Sequence, residues 1–431
     1  MTVAADLASQ WQRKRLKYCA SYNDEVLSEE TDALEQIDYV EISDVSLADG
    51  IQQTTLMPFY QAPSRARRKV RSGDILISTV RTYLKAIAAV DRAPDNLIAS
   101  TGFCVVRPHR GLDSSFAGWA VRSDQFVGEV VSRSVGVSYP AINASQLVDI
   151  EILLPPLETQ RRIAAFLDNR VGRIDALISK KQALLDCLAE KRQAIITQAV
   201  TKGLHPTAPM KDSGIDWLGQ IPAHWEVKKL KYLVRESVGL QMGPFGGMLT
   251  ELAAEPTGFK LYGQENTIAG DFALGHRWIS EERYRSLARY HLRAGDLVIT
   301  RKGSLGSCRR FPSDALPGVA DSDTIIIRFD ETKLLSALAI MLLHDAAYVA
   351  AQIESNRRGA ILAGLNSTVV GDLLIVCPSI TEQAEIIAQC GGFMSRIDRL
   401  SDAVEDSIQQ AMEYRSALIT AAVTGQIEGL Q

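Results

Sequence analysis

Paired cysteines are missing from this chain. Its six cysteines, at positions 19, 104, 187, 308, 377 and 390, are scattered over 431 residues without a Cys-x-x-Cys pair. That spacing gives no basis for a disulfide framework or a zinc cluster, and the thiols read as reduced and mostly buried. Charge of one sign is missing too: 47 Lys and Arg stand against 51 Asp and Glu, a net charge of -4. No long hydrophobic run occurs. The most apolar stretch, 334–353, is interrupted by His344-Asp345 after about ten residues, too short to span a bilayer. Residues 1–15 lack the apolar core of a signal peptide, so the expected location is cytoplasmic. Several catalytic signatures are also absent. There is no Gly-x-x-x-x-Gly-Lys-Ser/Thr phosphate loop, no His-Glu-x-x-His and no Gly-x-Ser-x-Gly elbow. Leu154-Pro155-Pro156-Leu157 lacks the side-chain amide with which the Asn-Pro-Pro-aromatic motif of amino-methyltransferases binds its target amine.

What the chain does have is a copy of itself. With a shift of 223 positions, residues 155–204 match 378–427 without a gap, at about 16 of 50 positions, where average usage gives roughly 3. The matches include Pro155/Pro378, Gln160/Gln383, Ile163/Ile386, the run Arg173-Ile-Asp175/Arg396-Ile-Asp398, Leu177/Leu400 and Arg192/Arg415. The run Ala199-Val-Thr201/Ala422-Val-Thr424 closes the match. Upstream lies a fainter repeat: Arg71-Ser-Gly-Asp-Ile-Leu-Ile-Ser78 answers to Arg293-Ala-Gly-Asp-Leu-Val-Ile-Thr300, and Trp11 with Leu16-Lys17-Tyr18 answers to Trp225 with Leu230-Lys231-Tyr232. The order is module, helix, module, helix. The expected domains are a first module at 1–154, a spacer helix at 155–204, a linker at 205–224, a second module at 225–377 and a second spacer helix at 378–431.

The repeated segments have the spacing of long helices. Apolar residues at 163, 167, 171, 174, 178, 185, 188, 195 and 199 follow a three-four rhythm, with Lys181 and Arg192 at two seam positions. The second copy keeps the stripe at 386, 394, 397, 404, 408, 418 and 422. Two narrow stripes of this kind bury each other most simply in an antiparallel, coiled-coil-like pair with an internal pseudo-twofold repeat. The interface candidates are Ile163, Ile174, Ile178, Leu188, Ile195, Ile386, Ile397, Ile408 and Leu418. Gly391-Gly392 costs about 1 kcal/mol per glycine inside a helix, so a kink or break is expected there. Each module alternates short β-branched runs, near 39–42, 74–77, 103–106, 260–262, 296–299 and 324–328, with helical spacing at 116–131 and 334–353. The fold class is α+β: two similar mixed domains separated by two long helices.

Net charge disfavours a nucleic-acid partner, yet its distribution leaves room for one. Residues 1–154 hold 16 basic and 19 acidic side chains, and residues 225–377 hold 18 and 17. Local clusters stand out at Arg65, Arg67, Arg68, Lys69 and Arg71, at Lys228, Lys229 and Lys231, and at Arg301-Lys302, Arg309-Arg310 and Arg357-Arg358. After the repeated strand the modules diverge: Thr79-Val-Arg-Thr-Tyr-Leu84 in one, Arg301-Lys-Gly-Ser-Leu-Gly306 in the other. There Arg81 with Tyr83, or Arg301 with Lys302 and Ser304, are placed to meet base edges and phosphates, since Arg grips guanine bidentately and Lys meets phosphate. Ser138-Tyr139 and Arg357-Arg358, just before the matched Asn143 and Asn366, complete the DNA-binding candidates with Thr79. One metal pattern competes. Asp314, Glu331 and Lys333 follow the acid, acid, lysine order of a magnesium nuclease.

At these residues the chain resembles a known family. Thr201-Lys-Gly-Leu204 leading through Met210-Lys-Asp-Ser-Gly-Ile-Asp-Trp-Leu-Gly-Gln-Ile-Pro-Ala-His-Trp-Glu-Val227, the Leu154-Pro-Pro-Leu-x-x-Gln160 helix opening, Gly243-Pro-Phe-Gly246 and Arg301-Lys-Gly-Ser-Leu-Gly306 are similar to the specificity subunits of type I restriction-modification systems, over nearly the whole chain. The resemblance implies a non-catalytic subunit with two target recognition domains, each reading half of a split site in double-stranded DNA. It implies helices that space those domains and dock two modification subunits, with restriction subunits joining later. It also implies that no cofactor is bound by this chain, and that S-adenosylmethionine, magnesium and ATP reside on the partners. The alternatives from other classes are the magnesium nuclease and a duplicated protein-binding scaffold.

Overall fold

The computed structural model describes residues 11–109, 111–215, 218–249, 252–302, 306–358 and 364–430; for 356–358 it describes the backbone. The chain divides into two compact units, residues 1–183 with 404–431, and residues 184–403. Each unit takes one module, the near half of one long helix and the far half of the other. The long helices run Leu157–Lys202 and Ile380–Val423. Pro155-Pro156 and Pro378 precede them, where proline forbids helix just before itself.

In the first unit a four-stranded sheet orders Ala20–Tyr22, Phe103–Pro108, Ile75–Ser78 and Ile87–Ala89. The second unit repeats it with Leu240–Met242, Thr324–Ile327, Leu297–Thr300 and Cys308–Arg310. A parallel pair also recurs, Gln36–Val40 with Leu97–Ser100 and Lys260–Tyr262 with Gly318–Ala320. The first unit widens that pair into a second four-stranded sheet by adding Thr55–Pro58 and Ala66–Lys69 at its edges. The second unit carries short helices, Gln264–Ala269 and Glu281–Ser286, in the same stretch of its chain.

The fainter sequence repeat is a structural joint. In Arg71-Ser-Gly-Asp74 the glycine takes φ 89° and the buried Asp74 accepts from the Arg71 amide. Its carboxylate then receives Arg107 through Nε at 2.8 Å and Nη2 at 2.7 Å. In Arg293-Ala-Gly-Asp296 the glycine takes φ 91°, Asp296 accepts from the Arg293 amide, and Arg328 donates through Nε at 3.0 Å and Nη2 at 2.7 Å. A side chain at either glycine would meet the left-handed penalty, which explains the residue. Fork-on-carboxylate geometry satisfies charges that burial would otherwise leave costly.

A second joint fastens each helix to its module. Gln160 is fully buried; its Oε1 accepts from the Asp113 amide at 2.8 Å, and its Nε2 donates to Gly111 and Pro155 carbonyls at 2.9 and 2.8 Å. Gln383 does the same with the Leu335 amide at 2.8 Å and the Lys333 and Pro378 carbonyls at 3.1 and 3.0 Å. At the far ends, Gly203 and Gly425 terminate the helices with φ 74° and 73°. An added Cβ would lie 3.3 Å from Trp225 in one and 3.2 Å from Trp11 in the other, so these glycines let an indole close each unit.

Within each unit the two helix segments run antiparallel. In the first, Arg162 donates to the Gly429 carbonyl and Arg415 pairs with Asp175 at 2.8 Å. In the second, Arg192 pairs with Asp398 at 2.7 Å, while Glu382 receives the Trp225 indole at 2.9 Å near the end of the first helix. Both ion pairs occupy repeat-equivalent positions. They explain why Arg192 interrupts the apolar stripe.

Several expectations need correction. The second long helix is continuous through Gly391-Gly392. Ile386, Cys390 and Ile397 are buried on either side, and that packing offsets a propensity cost of about 1 kcal/mol per glycine. Of the stripe candidates, Ile163, Ile386 and Ile397 are buried, whereas Ile174, Ile178, Leu188, Ile195, Ile408 and Leu418 are half-buried. The fully buried neighbour of Ile195 is Ile196, and that of Leu418 is Ile419. A straight helix drifts about 20° per heptad against a 3.5-residue stripe, which moves the seam by one residue over this length. The expected helix at 116–131 is two, Ser114–Ala120 and Asp124–Ser132, because Ser123 caps the second by accepting from the Phe126 amide. The apolar stretch 334–353 likewise bends by 61° between Ser336–Asp345 and Ala347–Ser355. Among the described residues no single helix is long and apolar enough to cross a membrane. The linker is not bare: Met210–Asp212 and Gln220–Pro222 form an antiparallel hairpin that buries Ile221.

Candidate nucleic-acid interface

In the first unit the loop after strand Ile75–Ser78 is held from beneath. Thr79 donates its amide and its hydroxyl to the Gly102 carbonyl, and its own carbonyl accepts from Ile142 at 2.9 Å. Arg81 then takes φ 50°, its amide bonded to the Pro140 carbonyl at 2.8 Å. This left-handed turn aims the guanidinium outward, 4.8 Å from the centre of the Tyr139 ring. Cation-π contact of that kind contributes about 0.5 to 1 kcal/mol at an exposed site, enough to bias a rotamer. Around the pair, Val80, Tyr83, Leu84, Val135 and Val137 are exposed.

Arg65, Arg81 and Tyr139 line one groove of about 590 Å³ with Glu41, Val80 and Leu84. Arg65 is held there by Glu41 at 2.7 Å. The rest of the basic run does not form one patch. Residues 66–69 are a strand, so their side chains alternate. Arg67 lies over the Phe59 ring, Arg68 is half-buried, and Lys69 is exposed. Arg71 pairs with Glu25 at 2.7 Å. Ser138 is exposed beside Tyr139.

The second unit uses the equivalent positions differently. By backbone contacts Arg301 corresponds to Thr79: its amide donates to Asp323, and its carbonyl accepts from Leu365 at 3.0 Å. Its Nε donates to the Leu365 carbonyl at 2.8 Å and its Nη1 to the Ser322 carbonyl. Arg301, a DNA-binding candidate in the sequence, thus differs from the exposed Arg81. Its guanidinium is committed to two carbonyls, and it is half-buried. Thr79 has the same bracing role. Above Arg301, at 5.3 Å, sits the ring of Phe245, exposed in the turn Gly243-Pro-Phe-Gly246. Lys302 is exposed and paired with Asp323 at 2.8 Å. Ser304 lies outside the described residues, as do the side chains of Arg357 and Arg358.

Phe245 and the exposed valines at 80, 135 and 137 were not among the sequence candidates. An aromatic set among glycines in Gly243-Pro-Phe-Gly-Gly247 is the signal that marks the first; nothing in the local pattern marks the valines. Asn143 and Asn366 are helix N-caps, each beginning a short helix. The nuclease triad is dispersed into local roles. Asp314 lines a pocket with Lys260 and Trp278, Glu331 accepts from Ser336 at the start of a helix, and Lys333 pairs with Asp330 at 3.3 Å. Among the described residues no group of three or more His, Cys, Asp or Glu is placed to hold a metal ion.

Comparison with known proteins agrees with this anatomy. Residues 38–186 match the family model described as type I restriction modification DNA specificity domain. The type I restriction enzyme MjaVIII specificity subunit of Methanocaldococcus jannaschii is 32% identical over 117 residues, 26% of this chain and 24% of that protein. The type I restriction enzyme EcoKI specificity subunit of Escherichia coli strain K12 is 22% identical over 331 residues, 75% of this chain and 68% of that one. A solved chain from a study of complex assembly and conformational transition of the type I R-M system superposes with a TM-score of 0.73 at 23% identity, over 97% of this chain and 98% of the other. With a repeated frame, divergent loops and these matches in agreement, residues 38–186 are similar to the type I restriction modification DNA specificity domain, and the chain as a whole is similar to type I restriction enzyme specificity subunits.

Proposed function

We propose that the chain reads a split site in double-stranded DNA, one half-site per module, and performs no chemistry itself. One observation carries the reading: the bracing joints repeat between the units, while the side chains lifted off them, Arg81 with Tyr139 and Phe245 over Arg301, do not. A shared frame with private contact residues is what two different half-sites require. Arg81 is the base-reading candidate in the first unit, because bidentate contact to guanine is worth about 1 to 3 kcal/mol of discrimination. Phe245 supplies apolar contact, of the sort a thymine methyl group accepts, in the second.

Two modification subunits dock on the long helices and supply S-adenosylmethionine chemistry; restriction subunits supply ATP and magnesium chemistry; the assembly works in the cytoplasm. The docking is supported by exposed apolar side chains at repeat-equivalent helix positions, Leu177 and Leu400. Methylation-sensitive sequencing of host DNA tests the reading. A split methylated motif that disappears on deletion of this chain is expected, and an unsplit motif, or one that survives deletion, would refute it. Substituting Arg81→Ala should then relax one half and leave the other intact.

A further inference from the structure

The two units share one exposed feature that neither the core nor the base-facing loops explain. Leu16-Lys17-Tyr18 and Leu230-Lys231-Tyr232 each form a single 3₁₀ turn. Each leucine is fully buried, its amide bonded to the Ile150 carbonyl at 3.0 Å or the Leu373 carbonyl at 2.9 Å. Each tyrosine points away, 70% exposed in one unit and 62% in the other. Lys17 lies 5.3 Å from the Tyr18 ring and Lys231 5.5 Å from the Tyr232 ring. Both lysines are held by a repeat-equivalent carboxylate, Lys17 by Asp149 at 2.6 Å and Lys231 by Asp372 at 2.9 Å. A second cation joins each carboxylate, Arg15 at 3.7 Å and Lys229 at 3.0 Å. The cations hold Asp149 and Asp372 below the usual carboxylate range, so each cluster stays fully charged near neutrality.

An internal duplication is two samples of one design. Surface residues serving a private target diverge, as the loops after the repeated strand do. A solvent-exposed ring kept in both copies, with its cation, its carboxylate and a second cation, points to a target common to both units. We propose that Tyr18 and Tyr232, with their lysine-aspartate frames, are the anchors of a protein interface used twice, once on each unit, by two copies of the same partner.

Charge selects the partner class. Each patch has two cations on one carboxylate, a net charge near +1, and a phosphate arriving there would meet Asp149 or Asp372 at close range. Duplex DNA is bound through uncompensated Lys and Arg. Tyrosine is instead enriched at protein interfaces and is a frequent anchor there, with charged groups kept to the polar rim around it. The partner surface that fits offers an apolar pocket for the ring, rimmed by a carboxylate for the surplus cation. This inference rests on the reading above, in which the docking partner is the modification subunit.

The test uses the full-length chain and the modification subunit of its own system, with stoichiometry from native mass spectrometry and affinity from analytical ultracentrifugation. Wild-type chain carrying two copies is the starting requirement; capture of none would sink the functional reading and this inference together. With two copies bound, Tyr18→Ala should weaken one copy about 30-fold and Tyr232→Ala the other, the effect expected when an anchor residue is truncated. Phe at either position should retain most of the affinity. Melting of the free chain should not change, because neither ring packs in its core. Unchanged assembly in the double variant would overturn the proposal. So would intact assembly with a shallower salt dependence of DNA binding, which would assign the patches to phosphate.

Discussion

The first unit extends its parallel strand pair into a four-stranded sheet and lifts an exposed arginine, Arg81, from a left-handed turn; the second keeps a two-stranded pair and sets Arg301, the counterpart of Thr79, under a phenylalanine. The antiparallel sheet, the buried Arg-Asp fork and the glutamine joint are the same in both. Two modules under one structural constraint separate what holds the fold from what is free to differ. Arg301 illustrates the danger of reading one without the other: its sequence position promises a contact, and its hydrogen bonds make it a strut.

The largest expected effect comes from breaking the fork. Arg328 and Asp296 are 6% and 7% exposed, so Arg328→Ala strands a buried carboxylate and should cost about 3 to 5 kcal/mol by urea denaturation. Arg107 is 23% exposed over an Asp74 that is 1% exposed, and water can partly solvate the vacancy. Arg107→Ala should therefore cost distinctly less, and equal losses would mean that burial does not govern the pair.

Next come the glutamine joints. Gln160→Ala and Gln383→Ala each strand one amide and two carbonyls, at about 1 to 3 kcal/mol. Because the geometries match, the two losses should agree closely, with hydrogen exchange rising at Asp113 in one variant and at Leu335 in the other. A large inequality would break the equivalence of the frames.

Smaller in stability but sharper in function is the arginine comparison. Arg81→Ala should leave melting unchanged and reduce half-site discrimination by about 1 to 3 kcal/mol in competition binding. Arg301→Ala should lower stability by about 1 kcal/mol through its lost carbonyl bonds before it affects recognition. Similar behaviour of the two variants would show that both arginines serve the same purpose.

The smallest effect is a gain. Gly391→Ala and Gly392→Ala place a Cβ where nothing stands within 4 Å, in a helix that does not break, and each should stabilise by about 0.5 to 1 kcal/mol. Such a gain in the second long helix has no counterpart at Asp168-Asn169 of the first.

The duplication, the two long helices, the alternation of strands and the family resemblance are all local or periodic properties, and they were legible in the amino-acid order. A shift of 223 positions is visible without coordinates because related copies keep residues at fixed spacing. So is the three-four rhythm, since backbone geometry alone sets the helical period. The partners of Asp74 and Asp296 were not legible. Arg107 and Arg328 lie more than thirty positions away, and pairing across adjacent strands depends on register, which no local pattern specifies. For the same reason the sequence marked Arg301 and missed Phe245: the two meet across 56 positions, and their stacking is a product of how the turn 243–246 is folded back over the strand end. Residue type alone did not place Lys, Arg and Tyr: Lys260, Arg328 and Tyr262 are buried, whereas Tyr18 and Tyr232 are exposed. Which of them became struts and which stayed exposed was decided by the carbonyls, carboxylates and rings that the tertiary fold brought within hydrogen-bonding or stacking distance.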